Sequence, residues 1–203
     1  VAARKTVIRI ELEHGVRPVR LIGRQGVIHG NHVEVEINQL YGGQEKFALL
    51  EVEVPAGKAN ERKNLARVAV EFEDTLSGKA ISQKAAIGCS FSQEEEKVAA
   101  STNQKVAEAY IDNQVAEAKE RAIELADNGQ HEDAVRELRK VNISIATQNK
   151  VYRSAKVDAA NGKFHSDIEC LDRDKGLTNK NRKSWRTEGY QIRMQQKASV
   201  TKK

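Results

Sequence analysis

Ala85-Ala86-Ile87-Gly88-Cys89-Ser90-Phe91-Ser92-Gln93-Glu94-Glu95-Glu96 contains the change of period that sets the fold class. Up to Phe91 the apolar side chains Ala85, Ile87, Cys89 and Phe91 fall on every second position, as in a strand with one face on a core. From Gln93 the spacing becomes helical. Glu94, Glu95 and Glu96 cluster where the positive end of a helix dipole favours negative charge. The chain therefore reads as α+β, an antiparallel β-sandwich over residues 1–92 followed by a helical region over residues 93–203.

Working back from this junction, the same alternation recurs in Ile8-Arg9-Ile10-Glu11-Leu12-Glu13, Val33-Glu34-Val35-Glu36-Ile37, Leu50-Glu51-Val52-Glu53-Val54 and Val68-Ala69-Val70-Glu71-Phe72-Glu73. Each run offers one face to a core and one to water. Gly30-Asn31, Tyr41-Gly42-Gly43 and Pro55-Ala56-Gly57 punctuate the runs, and Ser77-Gly78 predicts a hairpin joining the last two. Pro18 cannot donate to a ladder, so Val16–Ile22 reads as an edge or broken strand. Six or seven short strands with such turns describe an antiparallel sandwich. Cys89 falls on the core face of its strand, where a buried, inert thiol is expected.

Working forward, Ile111, Val115, Ala118, Ala122 and Leu125 form a 4-3-4-3 stripe that ends at Asp127-Asn128-Gly129, a left-handed cap. A single helix over about residues 93–128 would be roughly 50 Å long. Ala134, Leu138, Val141 and Ile145 repeat the spacing at once, which predicts an antiparallel hairpin spanning residues 93–149. Small residues on the first stripe let the two helices approach closely. In the remaining segment, residues 150–203, Val151–Ala160 reads as a third helix and Ile168 with Leu171 as a short fourth. Gly176–Ser184 reads as a polar loop, Tyr190 with Met194 as a last turn or two, and Lys202-Lys203 as a frayed end.

The chain has 203 residues and a net charge of +5. Residues 1–149 carry 20 Lys and Arg against 23 Asp and Glu, whereas residues 150–203 carry 14 against 6. A basic last quarter either complements the acidic helix before it or attracts phosphate-rich or anionic surfaces. No apolar run approaches the roughly 20 residues that a membrane-spanning helix needs. Two cysteines form neither a zinc site nor a disulfide framework. The opening Val1 leads almost directly into a strand, which is expected of a piece of a longer polypeptide.

Two stretches together resemble the region that follows the von Willebrand factor type A domain in bacterial proteins. One is Val33-Glu34-Val35-Glu36-Ile37-Asn38-Gln39-Leu40-Tyr41-Gly42-Gly43-Gln44-Glu45-Lys46-Phe47 with Val52-Glu53-Val54-Pro55. The other is Leu65-Ala66-Arg67-Val68-Ala69-Val70 with Ala122-Ile123-Glu124-Leu125-Ala126-Asp127-Asn128-Gly129. The likeness covers about residues 5–150. It implies an accessory sandwich and helices beside a type A domain of the same polypeptide, which binds a divalent cation through Asp-x-Ser-x-Ser. This chain has no Asp-x-Ser-x-Ser, so none of those ligands can be placed on it. The resemblance also implies an unpaired sheet edge, and hence a homo-oligomer formed through it. Ala118–Leu138 resembles one tetratricopeptide-type hairpin, but a stack needs about three.

No catalytic or metal-binding constellation is legible, and no cofactor is expected. His29 and His32 flank a turn without a carboxylate or cysteine to complete a set. His165 and Cys170 lack an orienting group and an oxyanion site. The paired glutamates Glu34/Glu36, Glu51/Glu53 and Glu71/Glu73 read as solvated strand faces. Lys180, Arg182, Lys183, Trp185, Arg186, Tyr190 and Arg193 are the candidate contacts for nucleic acid or another anion, through phosphate pairing and ring stacking. Against this, a sole tryptophan commonly closes a small core. The expected function is therefore a non-catalytic scaffold or protein-interaction region that positions a type A domain. The alternative is anion binding through residues 180–193, which a salt-dependent mobility shift would reveal.

Overall fold

The computed structural model describes residues 1–195, so the Lys202-Lys203 end lies outside the described residues. Seven strands precede five helices: β1 (Ala3–Leu12), β2 (Arg17–Ile22), β3 (Val27–His29), β4 (His32–Leu40), β5 (Leu49–Glu53), β6 (Arg62–Asp74), β7 (Ala80–Ser90), α1 (Glu95–Ala100), α2 (Gln104–Asp127), α3 (His131–Tyr152), α4 (Ala155–Arg173) and α5 (Asn179–Met194). The chain is α+β, with every strand pairing antiparallel. It divides into two compact units, one of residues 1–95 with Gln195 and the other of residues 96–194.

In the first unit β3-β4-β1-β6-β7 form a five-stranded sheet and β2-β5 a two-stranded one. Alternation decides which side of β1 and β4 is buried. Ile8, Ile10 and Leu12 pair across the strands with Val35, Val33, Val70, Val68 and Ala66, and point to one face. There they meet Val16, Leu21, Leu50, Val52 and Val54 from the region of the smaller sheet. Pro18 sits at a register shift in β2, between Pro18 and Arg20, as its missing donor requires. At Gly26 an added Cβ would lie 2.5 Å from the Glu34 carbonyl oxygen, so only glycine lets that loop close against β4.

The second unit packs α2, α3, α4 and α5 around Ile111, Ala118, Ala122, Ala134, Leu138, Ile145, Val157, Phe164, Ile168 and Trp185. Gly129 has φ +76 at the α2–α3 turn, the left-handed cap that the sequence predicts. The alanines of the stripe are fully buried, which is how the two helices come close.

Three helix boundaries differ from the expected ones. The helix expected over about residues 93–128 breaks at Ser101-Thr102-Asn103, whose side chains compete for backbone groups. Asn103 then caps α2, accepting from the Val106 N–H at 3.2 Å. The expected third and fourth helices are one. α3 runs to Tyr152, Arg153 turns the chain at φ 52 and ψ 39, and the Ser154 side chain caps α4. Most of the expected Gly176–Ser184 loop is helical, because α5 buries Trp185 and tertiary packing overrides weak local propensity.

Candidate functional site

The seven candidate anion contacts lie on or at the start of α5, and the helix separates their roles. Trp185 faces the core of the helical unit and is 5% exposed. It is therefore not displayed for stacking. Arg182 pairs with Asp127 at 2.5 Å, Arg186 with the same carboxylate at 3.6 Å, and Arg193 chelates Glu120 at 2.5 and 3.0 Å. These three guanidiniums neutralise the acidic face of α2. Lys180, Lys183 and Tyr190 are exposed.

Beside Trp185 is a charged group that the sequence reading missed. Lys119, 4% exposed, holds its ammonium 5.1 Å from the centroid of the Trp185 ring. It also meets Asp167 of α4 at 2.5 Å and Glu188 of α5 at 3.1 Å. Glu188 accepts a further bond from Lys163 at 3.1 Å. Burial acts to raise the Glu188 pKa, but the Lys163 hydrogen bond and the Lys119 charge outweigh it and hold the carboxyl below its ordinary range. A buried cation with two counter-ions and an aromatic face ties three helices together. Its only sequence sign is a lysine within an alanine-rich stripe.

The charged face of the five-stranded sheet is laced in rows. Arg9 pairs with Glu34 at 2.8 Å and with Glu71, Arg4 and Lys5 with Glu73, and Arg67 with Glu11 at 3.2 Å. On the smaller sheet Arg17 meets Glu53 and Arg20 meets Glu51. The glutamate faces are open to solvent, as expected, and most of their carboxylates are linked to arginines by ion pairs worth little each. A trough of about 960 Å³ lies over this face, reaching from Val27 and His29 to Lys84 and Ala86. His29 and His32 are cross-strand partners on its rim. Among the described residues no group of three or more His, Cys, Asp or Glu is placed to hold a metal ion. On α4 His165 is exposed, while the Cys170 sulfur meets the Arg173 guanidinium at 3.5 Å.

The other face of the sheet is covered unevenly. Burial is complete at Val33 and Val35 in β4, partial at Val68 and Val70 in β6, and lost at β7. Along β7 ten of eleven residues are exposed, including Ile81 at 37% and Ile87 at 49%. Cys89 is half-buried, not enclosed as its place on the core face led us to expect. The reason is the width of the second layer. Two strands, β2 and β5, cannot cover five, and the β6–β7 flank is left over. This strip of Phe72, Ile81, Ala85 and Ile87, with Gln83 set among them, is the candidate functional surface. Its sequence signal is a strand with one charged residue in eleven.

No protein-family model matches the chain, and no curated protein does. Several solved structures are similar, among them the following two. One is titled "von Willebrand factor type A from Catenulispora acidiphila"; it has a TM-score of 0.51 at 14% identity, over 84% of this chain and 38% of that one. The other, the "ArnB paralog VWA2 from Sulfolobus acidocaldarius", has a TM-score of 0.46 at 14% identity, over 98% of this chain and 44% of that one. The first match shows a shared fold with part of a protein bearing the type A name. The chain spans less than half the length of either structure.

Proposed function

We propose that this chain is a non-catalytic scaffold and protein-interaction region of a bacterial polypeptide that also carries a von Willebrand factor type A domain, and that it positions that domain. The reading rests on one observation, the apolar β6–β7 flank that the two-stranded layer leaves open. Burying such a strip yields about 25 cal/mol per Å² of apolar surface removed from water. Exposed apolar side chains along one face of a strand, here interrupted only by Gln83, are the usual mark of a protein contact. The shared fold with part of a structure named for the type A domain supports the choice of partner.

The test is thiol accessibility on the inner face of β7. Ala85→Cys in a Cys89→Ser, Cys170→Ser background places a reporter at an exposed position of the strip. In this chain alone, maleimide should label it rapidly. In the full encoded polypeptide, with the type A domain present, labelling should slow at least tenfold. Equal rates in the two proteins would refute the reading.

A further inference from the structure

We propose that two copies of this chain pair edge to edge through β7, antiparallel about a two-fold axis at Ala85, to form one continuous ten-stranded sheet. The undefended edge, rather than the open face, favours this pairing. Among the described residues β3 and β7 are the outer strands of the large sheet, and they are treated differently. β3 has three residues, and shortness is itself a defence against stray pairing. β7 has eleven, Ala80-Ile81-Ser82-Gln83-Lys84-Ala85-Ala86-Ile87-Gly88-Cys89-Ser90, with no proline and only Lys84 charged. The irregularity in its ladder falls between Asn64 and Ala66 on β6, so β7 itself is not twisted away by a bulge.

The sequence of β7 suits a second copy of itself. In the full-overlap antiparallel register Ala85 faces Ala85, Lys84 faces Ala86, Gln83 faces Ile87, Ser82 faces Gly88, Ile81 faces Cys89 and Ala80 faces Ser90. Every opposed pair lies on one side of the sheet, so the apolar strips of the two copies join. The single charge never opposes itself. Shifting the axis to Lys84 would set two ammonium groups directly across from one another, which is destabilising. An eleven-residue antiparallel pair supplies about ten hydrogen bonds, the number found in a typical specific interface. A two-fold dimer is also the commonest closed assembly. Edge pairing leaves the inner face open, so it is independent of the type A contact proposed above.

The experiment is sedimentation equilibrium of the whole chain from nanomolar to high micromolar concentration, on wild type and two variants at exposed positions. Circular dichroism should be unchanged in both variants. Wild type should show a reversible monomer–dimer equilibrium. Ala85→Lys sets two like charges across the axis and should abolish the dimer over the range tested. Ala86→Glu faces Lys84 of the other copy twice by symmetry and should tighten it about fivefold. A wild type that stays monomeric, as it would if a strand from elsewhere occupies this edge, overturns the proposal. So does a dimer indifferent to both variants, which would use another surface. The Ala85→Cys labelling test is run under reducing conditions at nanomolar concentration, where the chain is monomeric, so that it reads the face and not the edge.

Discussion

Lys119 shows how one side chain can organise three helices. Its ammonium is buried, and its two counter-ions come from α4 and α5. Removing both, in Asp167→Asn with Glu188→Gln, would leave a buried charge unpaired. We expect the double variant to lose about 3 kcal/mol in urea unfolding followed by far-ultraviolet circular dichroism. Either single variant should lose less than half of that, because the remaining carboxylate still neutralises the cation. The depressed Glu188 pKa has a direction in pH. A carboxyl held below its unfolded value, about 4.3, stabilises the fold above that pH, and the contribution is lost as pH falls through the lower folded value. Glu188→Gln should therefore flatten the acid limb of the stability profile, and an unchanged limb would show that other carboxylates dominate it. Little of this was legible beforehand. Trp185 could be read either as a stacking ring in a basic patch or as a core plug, and only burial separates the two. Asp167, Glu188 and Lys119 are far apart in the chain, so no spacing rule connects them.

At the scale of elements, periodicity located the strands and the hairpin because each buries one regular stripe. Helix ends were harder to read, because they depend on single capping residues. The α3–α4 junction is the clearest case. Ser154 is buried, its hydroxyl accepts from the Val157 N–H at 3.3 Å, and it also contacts Glu108 at 3.2 Å. Ser154→Ala should destabilise the protein by about 1–2 kcal/mol, measured by thermal unfolding. Next to it Arg153 is left-handed without being glycine. Arg153→Gly should raise stability by about 0.5 kcal/mol, the relief of the Cβ clash offset by a floppier unfolded chain. A loss of stability would mean that the arginine side chain contributes more than its backbone costs. The sequence marks Gly129 as a cap, whereas Asn103 and Ser154 fall inside expected helices, because a polar residue alone does not say whether it will interrupt a helix.

At the scale of the whole molecule, two cores form in two units; the chain passes from the first to the second through a short helix with no buried residue and returns between Met194 and Gln195. A six-residue helix is well below the roughly 12–15 residues at which isolated helices become even marginal. Limited trypsin digestion should therefore cut first after Lys97, leaving two resistant fragments identifiable by mass; early cleavage inside α2 or β6 would contradict this. The fold class was readable because a period of two gives way to a helical period within a dozen residues. The open β6–β7 flank was not, since alternation marks which face is apolar but not whether a second layer is wide enough to cover it. The sole tryptophan sits inside the helical unit against a buried cation, and the sheet unit contributes only Tyr41 among the tyrosines. Ultraviolet emission excited at the red edge is thus a native optical label for one half of the chain. It reports the helices melting while remaining blind to the strands.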